Sequence, residues 1–157
     1  MSAERFLYYE AELLDRGDWA AWLELFTPDA IYWMPCGDGR EDPELRVNII
    51  YDDYERLRDR VSRLLGSMAY AQMPASKTIH LITNLVIEEE IEGEGAVTRA
   101  ASNFLVTELR REQTTLYAGR CEHVLVPVPG EEGWRIRAKK IMLLSGEAYL
   151  GNLSFMM

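Results

Sequence analysis

The chain has 157 residues, 48% of them hydrophobic, which suits a single domain spanning 1–157 and leaves too little for two of ordinary size. Its 17 basic and 26 acidic residues give a net charge of −9, so nucleic acid and anionic membrane surfaces are excluded as partners by repulsion. Cys36 and Cys121 cannot build a disulfide scaffold and lack the spacing of a zinc or redox pair; both are expected as reduced, partly buried thiols of a cytoplasmic protein.

Met1–Arg5 is not a charged leader ahead of an apolar run, and no apolar stretch reaches the roughly 18 residues that span a bilayer. Ser2 is placed to cap a first helix, in which Phe6, Tyr9 and Leu13 form one apolar row and Leu7, Ala11 and Leu14 the next. Gly17 ends it. Asp18 caps a short second helix carrying Trp19, Trp22, Leu23 and Phe26, and Thr27-Pro28-Asp29 breaks that pattern. Ala30–Met34 then reads as a strand stopped by Pro35, and Cys36–Val47, with its glycines, Pro43 and six charges, as an exposed loop. The third helix is expected to start at Asp52, with Glu55 completing a capping box, Tyr54, Leu57, Val61, Leu64 and Leu65 facing inward, and Gly66 as terminator. Met68–Ala75 is apolar but aperiodic and contains Pro74, so it is expected as an ordered loop.

From Lys77 onward the pattern has period two. Lys77–Ile91, Ala96–Leu109, Thr115–Val128 and Trp134–Gly146 are long strand-like stretches joined by hairpin signals at Gly93-Glu94-Gly95, Arg110–Thr114 and Pro129–Gly133, which makes them an antiparallel meander. Strands of this length bend to stay on a small core, and Gly119 is the expected bend. The implied fold is α+β, a curved and mostly antiparallel sheet packed on three helices.

Candidate chemistry is sparse. Alternation places His80 beside Ile82, Asn84 and Val86, and a turn at Gly93-Glu94 sets His80 opposite Thr107 and Asn84 opposite Asn103. A general base in a pocket is one use of His80; a hydrogen-bonded histidine at a sheet edge or subunit contact is the other, and no second titratable group is forced beside it. His123 and Glu122 face opposite sides of their strand and share no site. Two histidines in distant strands do not supply a zinc or non-haem iron ligand set, so no metal is expected. Glu88-Glu89-Glu90 with Glu92 reads as a solvated strand end, because adjacent strand residues point to opposite faces. There is no glycine-rich phosphate loop and no Gly-x-Ser-x-Gly elbow in the sequence. Tyr8, Tyr9, Trp19, Trp22, Tyr32 and Trp33 serve the core, a ligand cavity or an interface. Leu150, Leu153, Phe155, Met156 and Met157 form an apolar tail expected to be held against something.

In this order of elements, the chain resembles the β (small) subunit of aromatic-ring-hydroxylating dioxygenases, a cystatin-like cone of the nuclear-transport-factor-two-like superfamily. The similarity runs through Glu12–Asp15, Trp22–Phe26, Asp29–Pro35, Tyr51–Val61, Pro74–His80, Asn84, Gly119-Arg120, Trp134–Ile136 and Asn152–Phe155. Lys77 and Ile79 stand where that family usually has arginines, and Lys139-Lys140 replace an arginine-rich pair; lysine lacks the bidentate fork of arginine.

The resemblance implies a non-catalytic, structural subunit with no catalytic, cofactor or metal residues of its own. Its partner would be an α subunit carrying a Rieske [2Fe–2S] cluster and a mononuclear Fe(II), in an α3β3 hexamer that adds dioxygen to an aromatic ring as a cis-dihydrodiol. The β chains would trimerise through sheet and tail, with Lys77, His80, Arg120, Lys140, Leu153 and Phe155 as interface candidates. The alternative is a stand-alone dehydratase or isomerase of the same cone fold, with His80, Tyr32 and Asp29 near its pocket mouth; a ligand-binding module without chemistry is the third.

Overall fold

Among the described residues, three helices and six strands follow one another as α1 (Ala3–Arg16), α2 (Trp19–Leu23), β1 (Phe26–Pro35), β2 (Asn48–Asp53), α3 (Tyr54–Tyr70), β3 (Lys77–Glu92), β4 (Gly95–Arg110), β5 (Gln113–Pro127) and β6 (Trp134–Leu143). The computed structural model describes residues 1–37, 39–70, 76–92, 95–130, 132–145 and 156–157. One sheet contains all six strands in the order β2-β1-β6-β5-β4-β3. The expected meander is present, since β3, β4, β5 and β6 pair antiparallel in turn. β6 then lies parallel to β1, and β2 closes the other edge antiparallel to β1.

The helices form a layer over one face, α1 across β3 and α3 across β1. Ser2 caps α1 by accepting from the Arg5 amide at 3.3 Å, and Gly17, with φ 68°, returns its N–H to the carbonyls of Leu13 and Leu14. The buried stripe of α1 is Ala3, Phe6, Leu7, Glu10, Ala11, Leu13 and Leu14. Tyr9, expected in that stripe, is exposed, and the carboxylate of Glu10 takes the inward position instead. Trp22, Phe26 and Tyr32 meet edge to face beneath α1 and α2, with ring centroids 4.8 to 6.4 Å apart.

Several boundaries differ from the sequence reading. β1 begins at Phe26 and runs through Thr27-Pro28-Asp29, because a register shift between Phe26 and Ile31 against β6 absorbs the proline. Strand β2, Asn48–Asp53, takes in residues 48–51, unassigned from sequence, and the first two residues of the expected helix, so Asp52 does not cap α3; Asp53 does, accepting from the Arg56 amide at 2.9 Å. α3 passes through Gly66 and ends at Tyr70. The expected loop at Met68–Ala75 therefore overlaps the last turn of α3, and its residues 71–75 lie outside the described residues.

The pairing of His80 is also displaced by one. Ile91 pairs with Ala96 and Val86 with Ala101, in the register the turn dictates; beyond Thr83 the register slips, so His80 opposes Val106 and Thr83 opposes Asn103. Asn84, with φ 53°, sits in the bulge that causes this. β4 and β5 stay in register past Gly119, and the β5–β6 shift falls between Val124 and Leu125. Gly119 is required for its lack of a side chain: a Cβ there would come 2.2 Å from the Met142 carbonyl oxygen and 2.9 Å from the Phe104 ring.

Two glycines thus carry opposite predictions. Gly66→Ala meets no atom and relieves a helix-interior glycine, so it should stabilise the fold by about 0.5–1 kcal/mol. Gly119→Ala should destabilise by about 1–3 kcal/mol through overpacking against β6 and Phe104. Urea denaturation of the two variants beside the parent chain checks both signs.

Candidate functional site

The main polar cluster lies between α1 and the centre of the sheet. The Glu10 carboxylate receives Lys139 Nζ at 2.5 Å and the Trp22 indole N–H at 3.1 Å on one oxygen, and His123 Nε2 at 3.0 Å on the other. Glu10, His123 and Lys139 are all buried, and the Cys121 sulfur lies 3.7 Å from His123 Nδ1. This brings together residues 113 and 129 positions apart in the chain.

Burial alone would favour neutral Glu10, but the ammonium of Lys139 and the imidazole of His123 hold its carboxyl well below the usual carboxylate range. For His123, burial pulls the pKa down, whereas the Cys121 sulfur and the Glu10 carboxylate push it up further, to about 9. The cluster is therefore charged through the neutral range. Sequence reading paired His123 with Glu122, correctly found them on opposite faces, and missed Glu10. The available signal was a lone acid in the apolar stripe of α1, together with Lys139 on the same inward side of β6 as Ile141 and Leu143.

His80 does have an acidic neighbour, contrary to the sequence reading. Asp15, in the last turn of α1, lies 2.5 Å from His80 Nδ1, accepts from the His80 amide at 3.1 Å and from the Thr78 hydroxyl at 3.2 Å. His80 Nε2 is buried without a partner. An Asp–His pair could orient a general base, but a base needs its free nitrogen within reach of a substrate, and this one is sealed. The pair fastens the end of α1 to β3.

The other members of the alternative catalytic set are not gathered around it. Tyr32 is fully buried, with its hydroxyl donating to the Met157 carbonyl at 2.9 Å, while Asp29 is exposed. β1 and β3 are separated by three strands, roughly 19 Å along the sheet. Of the aromatic set, Trp19, Trp22 and Tyr32 belong to the core, Tyr8 and Tyr9 are exposed, and Trp33 is half-buried. Cys36 is exposed rather than partly buried.

Away from the helices, the sheet face is open. Trp33, Lys140, Glu122, Ala101 and Val86 form one cross-strand row along a cleft of about 520 Å³ that Arg120 also lines. Lys140 Nζ lies 4.6 Å from the centre of the Trp33 ring and donates to the Gly39 carbonyl at 2.7 Å; Arg120 and Glu122 stand 3.5 Å apart. Further along, Thr78 turns toward α1, while Ile79 and Leu81 point away from it. Ile79 is followed across the sheet by Thr107 and Leu116, and Leu81 by Leu105 and Ala118. Ile79, Leu81 and Leu116 are 60%, 54% and 63% exposed. Of the interface candidates, Arg120 and Lys140 thus share the cleft, Lys77 is exposed at the start of β3 and His80 is turned inward. Leu153 and Phe155 lie outside the described residues.

Among the described residues, no three His, Cys, Asp or Glu side chains converge as a metal site. The closest approach, Glu10 with His123 and Cys121, has an ammonium already at the carboxylate, and a second cation would be repelled there. These residues do not fit an iron centre. No helix among the described residues is long and apolar enough to cross a membrane.

A long-stranded sheet with helices over one face and a charged join between the layers define a cone-shaped α+β protein, and residues 9–146 match the family described as ring hydroxylating beta subunit. The chain belongs to that family. It is 33% identical to the benzoate 1,2-dioxygenase subunit beta of Acinetobacter baylyi over 88% of this chain and 82% of that one. It is 34% identical to the 2-halobenzoate 1,2-dioxygenase small subunit of Burkholderia cepacia over 88% and 84%. The crystal structure of the benzoate 1,2-dioxygenase beta subunit from Burkholderia mallei superposes with a TM-score of 0.76 at 27% identity, covering 98% of this chain and 94% of that one.

The buried cluster makes folding pH-dependent in a defined direction. His123 has a raised folded pKa, so its contribution is complete below about 6.5 and is lost as pH rises through about 9. Glu10 has a depressed one, so its contribution is present above 4.5 and is lost as pH falls below that value. Urea midpoints should be highest between these limits and decline toward pH 9, and His123→Gln should remove most of the alkaline decline. A decline of equal size in that variant would assign it to another group. Glu10→Gln leaves two buried cations without a counter-charge and should cost about 3–5 kcal/mol.

Proposed function

We propose that this chain is the non-catalytic β subunit of a multicomponent Rieske non-haem iron dioxygenase that cis-dihydroxylates an aromatic compound in the cytoplasm. Its role is to support assembly of an α subunit, which carries the [2Fe–2S] cluster and the mononuclear iron, in an α3β3 hexamer. Membership of the ring-hydroxylating beta-subunit family supports the class of complex. The observation that carries the role is the uncovered sheet face with its exposed edge strand β3.

Ile79, Leu81, Val86, Ile87 and Ile91 are all exposed on that edge strand, and Leu109 and Leu116 continue the apolar surface. A long edge strand with free main-chain groups and apolar side chains invites pairing, and a soluble protein keeps such a surface where another chain covers it. Lys77, Arg120 and Lys140, on or beside this face, are the polar members of the proposed interface, with Leu153 and Phe155 of the tail. The stand-alone dehydratase or isomerase reading loses support, because His80 Nε2 is sealed, Tyr32 is bonded to the chain itself and Asp29 stands apart from both.

Co-expression with an α-type chain bearing Cys-x-His and Cys-x-x-His spacing should give one species of hexamer size on gel filtration, with all iron in the α chain. Ile79→Asp combined with Leu116→Asp should shift that species to smaller forms while the isolated chain stays folded. Each side chain fully buried in an interface is worth roughly 1.5–3 kcal/mol, so loss of assembly should be visible at micromolar concentration. Failure to associate with any such α chain would refute the proposal, as would turnover of an aromatic substrate by the isolated β chain.

A further inference from the structure

We propose that Asp15 is a strand-blocking residue: its carboxylate stands on the free edge of β3 where the carbonyl of an added strand would stand, and it keeps that edge from pairing with a second copy of this chain. This goes beyond assembly with an α chain and does not depend on it.

The argument begins with a main-chain amide bonded to a side chain. β3 is the last strand of the sheet and pairs with β4 alone. The His80 amide donates instead to both carboxylate oxygens of Asp15, on α1, at 3.1 Å each, so it points away from β4 toward the free edge. In an antiparallel ladder the residues whose main chain faces away alternate along the strand. Thr78 and Ile82, opposite Glu108 and Phe104, therefore share the orientation of His80, opposite Val106. His80 is the middle of the three. A further strand would lie about 4.8 Å outside β3 and would need the His80 amide for one of its carbonyls. Asp15 fills that position, and the Thr78 hydroxyl at 3.2 Å and His80 Nδ1 at 2.5 Å hold it there. The guarded stretch ends where the register slips, beyond Thr83 at the Asn84 bulge.

This is also the stretch that most needs a guard. Thr78-Ile79-His80-Leu81-Ile82-Thr83 contains no Asp, Glu, Lys, Arg, Pro or Gly, and Thr78, Ile79, Ile82 and Thr83 are β-branched. An uncharged segment of high β propensity is the composition that pairs with identical copies of itself. Ile79 and Leu81 add apolar surface, at 60% and 54% exposure. On the far side of the bulge Glu88, Glu89 and Glu90 are exposed, and their charge deters strand addition there. The near side has no charge of its own, and a carboxylate from α1 supplies one. A second copy is the occupant this composition fits, because every copy brings the same segment. With the main chain blocked, a partner reaches Ile79 and Leu81 across the open sheet face and not through the edge.

The test compares full chains carrying Asp15→Ala and Asp15→Asn. Asparagine keeps an acceptor oxygen for the His80 amide, whereas alanine keeps none. In dilute solution, hydrogen exchange at that amide should be roughly ten- to hundredfold faster in Asp15→Ala than in the parent chain, the loss expected for a hydrogen bond to a charged group. In Asp15→Asn it should stay near the parental rate. Sedimentation velocity at rising protein concentration should show Asp15→Ala forming species larger than those of the parent, with the amides of Thr78, His80 and Ile82 protected in them, and Asp15→Asn matching the parent. A folded Asp15→Ala chain that keeps the parental size at every concentration would overturn the proposal, as would one that associates while those three amides stay exchangeable. Edge pairing that occurs only with an added α-type chain would assign the edge to that partner and count equally against it. If Asp15→Ala does not fold, the parent chain decides: its His80 amide should exchange more slowly than those of Thr78 and Ile82, and equal rates refute the block. The supporting readouts need no α chain, so a failure here is distinguishable from a failure of assembly.

Discussion

The carboxylate of Glu10 is the join on which the two layers depend. Carrying it into the core would cost several kcal/mol if it stood alone, and the fold answers with an ammonium from β6, an imidazole from β5 and an indole N–H from α2. A buried ion pair of this kind contributes less net stability than its Coulomb attraction implies, because all three groups give up water. Its larger effect is on geometry. Apolar side chains let a helix roll or slide over a sheet at small cost, whereas a carboxylate that needs Lys139 on one oxygen and His123 on the other tolerates one rotation of α1. Asp15 supplies the second fixed point, at β3. The two acids are five residues apart, roughly 7.5 Å along the helix axis, while β5 and β3 lie two strands apart, roughly 9.6 Å. α1 therefore lies across the strands, and both ends of its crossing are set by charge.

That arrangement uses up polar chemistry on the covered face and leaves the other face free. β3 and β4 each have 16 residues, and in β3 the stretch Val86–Ile91 is exposed on both sides of the strand. An overhang of this length contributes little to the core of one chain. It is useful as surface, and its composition changes along its length: Ile79 and Leu81 at one end, Glu88, Glu89 and Glu90 at the other. Consecutive carboxylates on an edge strand discourage unplanned strand addition, while the apolar end remains available to a shaped partner. The same strand thus holds the attractive and the protective elements of an interface.

The sequence made the meander legible because hairpin glycines and strict alternation are local signals, and so was the helical stripe of α1. The features it hid were non-local. The slip at Asn84 moves His80 from opposite Thr107 to opposite Val106, and a positive φ at an asparagine leaves no mark in a hydropathy pattern. Strand β2 was masked because its Asn48 and Asp52 look like loop and cap residues until Trp33 and Arg60 are seen to bind them, at 2.7 Å in each case. Gly66 has the residue type of a helix terminator, but residue type alone does not end a helix, and α3 continues through it to Tyr70. The Glu10 cluster was readable in halves, an acid on an apolar helix face and a lysine on an apolar strand face. Only the pairing of the halves required the fold.

Scarcity of reactive groups does not by itself explain a structural role. The described interior contains the carboxylates of Glu10, Asp52 and Glu108, two imidazoles, a thiol and a phenol, a set sufficient for acid–base chemistry. What differs from a working site is that each is bonded to another group of the chain or, as with the unpartnered Nε2 of His80, sealed within the protein. His80 is turned into a protein wall beside Asp15, His123 and Lys139 neutralise Glu10, and Tyr32 is bonded to Met157. A catalytic group needs an unpaired state that a substrate can complete, so these side chains have exchanged reactivity for cohesion. Disengaging any one of them would expose a buried charge or hydroxyl before it could meet a substrate, which places a barrier against catalysis in the packing rather than in the choice of residues. On the open face the balance is reversed: exposed apolar side chains are uncommitted there, and contact with another chain is the function such side chains can serve.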